Sequence, residues 1–153
     1  MVEINRFRDD HQKLLDFIKQ ISQNLDADEL SKDAKKVKKL IFDFIGHLHV
    51  HLLVEDKALY PQLLKYPNET IKLKAEKFIK EMGNISQEVV DYKHKWTNAF
   101  QIQKNPQEFI EDTNNIISIL SKRIEREDND LYDLIDELES TDKAKYKHGY
   151  FND

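Results

Sequence analysis

A chain of 153 residues with 24 Lys and Arg against 29 Asp and Glu, 35% charged and 39% hydrophobic, is long enough to bury roughly two-thirds of its unfolded surface as one domain. The formal charge of -5 gives no overall attraction to phosphate backbones, and Lys32 to Lys39 are offset by acids elsewhere, so nucleic acid is not an expected partner. The absence of cysteine excludes disulfides, thiolate catalysis and thiolate-bound zinc or iron–sulfur centres, which leaves oxygen and nitrogen donors for any metal.

Only three Gly and three Pro occur, which suits an all-α protein better than a turn-rich sheet. The opening MVEINRFRDDHQ carries charge where a signal peptide needs an apolar run. No window approaches the roughly 20 apolar residues of a membrane span, so the expected location is the cytoplasm, without membrane contact.

In chain order, apolar residues at three- and four-residue spacing through Ile4, Phe7, Leu14, Leu15, Ile18 and Leu25 predict a first helix, with His11 in its stripe. After the turn-like LDADELS, Ser31 is a candidate cap for a second helix. Its stripe is Val37, Ile41, Phe44, Leu48, His51, Glu55 and Leu59, and it should end near Lys65, between Pro61 and Pro67. Asn68 is a candidate cap for a third helix with stripe Ile71, Ala75, Phe78, Met82, Ile85, Val89, Tyr92 and Trp96. Asn105-Pro106 opens a fourth, with stripe Thr113, Ile116, Leu120, Ile124, Glu127, Leu131, Leu134 and Leu138. Periodicity fades after residue 140, so residues 1–140 form the expected domain and 141–153 a loosely attached tail. Similar helix lengths and short loops favour an antiparallel up-down-up-down four-helix bundle.

The segment HLLVEDKALY at His51 to Tyr60 returns in altered form as RIEREDNDLY at Arg123 to Tyr132. Glu55 and Glu127 are shared, and each falls in an apolar stripe, where an unpaired carboxylate would cost several kcal/mol without a partner or cation. Counting back from each turn brings His11, His51, Glu55, Glu81 and Glu127 to similar axial levels. Two imidazoles with several carboxylates suit iron or manganese. The bland alternative is a hydrogen-bonded network in which Arg123 pairs with Glu127 and a histidine.

Other residues of these types have weaker positions. Glu81 lies on the flank of its stripe, where the alternative is a solvated acid beside Lys77 and Lys80. His49 and His94 fall opposite their stripes and should face water, while His47 lies at a stripe edge. Phe42, Phe44, Trp96 and Phe100 read as core and helix-contact residues.

The early histidine in RFRDDHQKLL, then HLLVEDKALYPQLL and RIEREDNDLYDLI, resemble the hemerythrin-like, or HHE cation-binding, family over most of residues 4 to 138. The resemblance implies a four-helix bundle with a non-haem iron site of two ions bridged by carboxylates. Such a site would bind, sense or handle dioxygen, nitric oxide or peroxide. It carries His11, His51, Glu55 and Glu127 over as metal ligands, and FIKEMG resembles family segments in a way that adds Glu81. Two departures mark a histidine-poor branch: Arg123 stands where the family's second His-x-x-x-Glu begins, and the third helix has no stripe histidine. The alternatives in function are a metalloenzyme, peroxidase or ferroxidase, and a metal-free interaction bundle.

Overall fold

The computed structural model describes residues 3–82 and 84–149, with the side chains of 142–149 excepted, and every regular element among the described residues is helical. The first stripe becomes α1 (Ile4–Ser22), with Ile4, Phe7, His11, Leu14, Ile18 and Ile21 on its buried face. The second becomes α3 (Lys35–Val54), which continues without a break through a π-helical turn, Glu55–Leu59, into α4 (Tyr60–Leu64). The third is divided into α5 (Glu69–Met82) and α6 (Ile85–Lys95). The fourth is α8 (Pro106–Arg126), followed by a second π-helical turn, Glu127–Tyr132, and α9 (Asp133–Gly149).

Two connections expected to be loops are short helices, α2 (Ala27–Lys32) and α7 (Ala99–Lys104). Local caps explain both. The Asp26 carboxylate accepts from the Glu29 amide and the Asn98 side-chain Oδ1 from the Gln101 amide, each satisfying an otherwise unpaired first-turn donor. Ser31 therefore does not cap the second long helix; its hydroxyl donates to the Asp28 carbonyl inside α2. Asn68 does cap α5, accepting from the Thr70 and Ile71 amides at 2.9 and 3.2 Å.

Contacts run from α1 to α3, α3 to α6, α6 to α8 and α8 back to α1, enclosing one core. At one stretch of that ring α2 packs on α7 and α8, burying Leu30 and Ile102. Phe44 and Trp96 are in the core, but Phe42 and Phe100 are 65% and 69% exposed. Their apolar character suggests contact residues, but neither occupies a stripe position. Helix α9 continues through Gly149, past the boundary expected at 140; residues 150–153 of the expected tail lie outside the described residues. No described helix is long and apolar enough to cross a membrane.

The π turns begin at the two stripe glutamates, Glu55 and Glu127, and so mark both copies of the repeat at the same point. In an α-helix, residues five apart point roughly 140° away from each other. A turn bonded i→i+5 holds more residues per revolution and swings the fifth side chain back toward the first. Tyr60 and Tyr132, each five residues after its glutamate, are thereby turned into the core, 3% and 0% exposed.

Candidate metal centre

Helix α1 contributes His11, α3 contributes His51, and the first π turn contributes Glu55; the three are 1%, 5% and 0% exposed. The Nε2 atoms of His11 and His51 lie 3.1 Å apart. Glu55 Oε1 is 2.7 Å from His51 Nε2 and 3.4 Å from His11 Nε2. Ligand atoms about 2.0–2.2 Å from a metal, at ordinary coordination angles, stand about 3.0–3.5 Å from one another. Three Lewis-basic atoms thus face one point at spacings close to those an ion would impose. Among the described residues these three form the group whose donor atoms converge in this way.

Acids stand behind both imidazoles. Asp128 Oδ1 is 2.8 Å from His11 Nδ1, and this contact directs the opposite nitrogen, Nε2, at the cluster. His51 Nδ1 is buried without a hydrogen-bond partner, its nearest acid being Asp10 with Oδ2 at 3.6 Å. Two imidazoles and one carboxylate are the donor set favoured by non-haem Fe(II) with open coordination positions. The residues therefore fit one such ion.

A second polar group adjoins the first through Glu55. Arg123, 7% exposed, donates from Nη2 to Glu55 Oε2 at 2.6 Å and from Nε to Glu127 Oε1 at 2.8 Å. The Tyr60 and Tyr132 hydroxyls lie 3.2 and 3.0 Å from Glu127 Oε2, and Tyr132 is also 3.3 Å from Glu55 Oε1. The two oxygens of Glu55 are thus divided, Oε1 toward the imidazoles and Oε2 toward the guanidinium.

Burial and charge set the protonation of this centre. For His11 burial favours the neutral ring, but hydrogen bonds with Asp128 and Glu55 and the nearby carboxylate charges outweigh it and raise its pKa to about 9. Burial likewise opposes ionisation of Glu55, yet its contacts with His11 and His51 and the charge of Arg123 hold it well below the usual carboxylate range. Glu127 goes the other way, pushed up to about 8 by burial and by the charge of Glu55. Three donors face Glu127 and favour its charged form, but desolvation beside an ionised neighbour dominates. Burial and both glutamates raise Tyr60 and Tyr132 above the ordinary phenol range, so they remain hydroxyl donors.

Of the five expected site residues, His11, His51 and Glu55 are brought together. Glu127 lies in the same buried centre, but its oxygens face Arg123, Tyr60 and Tyr132. Glu81 is not brought there. Its side chain is 38% exposed and pairs with Arg126 at 2.5 Å and Lys77 at 3.9 Å, because its flank position leaves it nearer those surface cations than the core. His47, His49 and His94 are exposed, and the His47 ring packs on Phe17. Helical periodicity alone does not single out Asp128, Tyr60 or Tyr132. Their signal was the repeat itself, which sets Asp128 beside Glu127 and a tyrosine five residues after each glutamate.

No curated protein and no solved structure matches the chain. Residues 2–135 match the family described as Hemerythrin HHE cation binding domain. With that match spanning most of the chain and a buried His/Glu cluster at its centre, the protein belongs to the hemerythrin HHE cation-binding family.

Proposed function

We propose that this chain is a non-haem iron protein in which His11, His51 and Glu55 hold the metal, and that it binds, senses or handles dioxygen, nitric oxide or peroxide. The observation carrying this reading is the convergence of three basic atoms within 3.4 Å of one another in a place closed to solvent. Bound iron supplies open coordination positions and one-electron redox chemistry. Asp128 retains the Nδ1 proton of His11 and leaves Nε2 to face the ion. Phe7 packs on His51 and Tyr132 and keeps that side dry. A cleft of about 280 Å³ lined by Asp56, Tyr60, Phe78, Met82 and Arg123 offers a small molecule an approach to the guanidinium side of the centre. The ring of contacts α1–α3–α6–α8 supports an antiparallel up-down-up-down bundle as the scaffold.

Anaerobic loading with ferrous ion, desalting and elemental analysis test the site. The wild type should retain iron, His51→Ala should reduce retention by about tenfold or more, and His94→Ala should leave it unchanged. Wild-type protein that retains none would refute the reading. Because the folded state alone carries the converged ligands, iron should also raise the melting temperature, with about 2.7 kcal/mol of added stability at a hundredfold excess over Kd.

Two observations favour other readings. The phenols of Tyr60 and Tyr132 beside the ligands suit a redox enzyme, a peroxidase or ferroxidase, and multiple turnover with peroxide or ferrous ion is its test. The pairing of Arg123 with both glutamates suits a metal-free network. Coincident melting curves for iron-treated and chelated protein would favour that network.

A further inference from the structure

We propose that Arg123 serves as a built-in second cation, so that the centre takes one metal ion at His11, His51 and Glu55 and has a guanidinium where a second ion would otherwise lie. The inference rests on the metal-binding reading and specifies its stoichiometry. Arg123 aligns with His51 in the internal repeat, four residues before its own glutamate, so its side chain enters the core at the place corresponding to a ligand. There it bridges Glu55 Oε2 and Glu127 Oε1 at 2.6 and 2.8 Å. Glu55 becomes the shared carboxylate, its Oε1 toward the imidazoles and its Oε2 toward the guanidinium.

The surrounding residues support one ion over two. A second ion would need further donors, and the two tyrosine hydroxyls already occupy Glu127 Oε2. From α5 the nearby buried residues are Phe78 and Met82, which bring no carboxylate or imidazole, while Glu81 is held at the surface by Arg126. A guanidinium does not release its proton in the working pH range and cannot ligate a metal; it would repel one from the same pair of carboxylates.

The full chain, loaded anaerobically with excess ferrous ion and desalted, should retain one iron per chain. Loaded with Mn(II) instead, it should give the electron paramagnetic resonance signal of an isolated ion. Two ions per chain, or an exchange-coupled pair, would overturn the inference and leave the metal-binding reading intact; no ion would overturn both. Arg123→His removes the cation and adds a neutral donor, so the folded variant should retain a second ion and show coupling. A variant with wild-type helicity that still retains one ion would also overturn the assignment. If the variant fails to fold, the wild-type stoichiometry and Mn(II) spectrum decide by themselves.

Discussion

In the presence of chelator, Arg123→Leu should lower stability by about 3–5 kcal/mol, because the change leaves the ionised Glu55 buried without its cation and Glu127 without a hydrogen-bond donor. For a chain of this size that corresponds to a fall of roughly 6–20 °C in melting temperature. The side chain is 6% exposed and its partners 0% and 1%, so water cannot replace the lost contacts as it would at a surface pair. Arg123→Lys retains a charge but not the two-pronged reach to separate carboxylates, and should fall between wild type and leucine. Combining Arg123→Leu with Glu127→Leu should recover part of the loss, since one buried acid is then gone while Glu55 still has its imidazoles. Thermal or urea unfolding of the chelated proteins measures all three. A loss below about 1 kcal/mol for Arg123→Leu would mean that the ion pair contributes no more than an exposed one.

This expectation turns on a residue whose type was legible in the sequence but whose neighbours were not. The apolar stripes were readable because packing of long amphipathic helices preserves their three- and four-residue period, and His11, His51, Glu55 and Glu127 stood out as polar interruptions of it. All four are indeed buried. Flank positions were poorly legible: Glu81 and Arg123 lie about equally far from their stripe centres, yet one is at the surface and the other inside. The difference lies in what each meets across the helix, Arg126 for Glu81 and two carboxylates for Arg123. Periodic counting also assumed uniform α-helix, so the π turns that swing Tyr60 and Tyr132 inward were missed. Helices α2 and α7 escaped because a single capped turn is too short to express a stripe.

The metal-free protein should lose stability as pH rises from about 4.5 to 9, and iron should remove much of that dependence. His11 has its folded pKa raised from 6.5 to about 9, so its contribution is fully present below 6.5 and is lost as pH rises through 9. Glu127, raised from 4.5 to about 8, has the same sign: the folded state holds a proton that the unfolded chain releases, and its contribution is gone above 8. Glu55 has the opposite sign. Held ionised in the fold, it stabilises above 4.5 and loses that contribution as pH falls. The three together place the stability maximum of the chelated protein in the mildly acidic range, with a decline of several kcal/mol toward pH 9. Asp128→Asn removes the foremost cause holding the proton on His11, so the alkaline decline of that variant should begin nearer neutrality. If iron binds at the proposed site, His11 Nε2 would be one of the atoms holding it and would give up its proton, so uptake of ferrous ion should release protons and strengthen about tenfold per pH unit up to about 9. Melting temperatures of chelated and loaded protein across this range, with proton release followed in weak buffer, measure both effects. A melting temperature of the chelated protein that rises between pH 6.5 and 9 would show that neither His11 nor Glu127 holds the proton assigned to it.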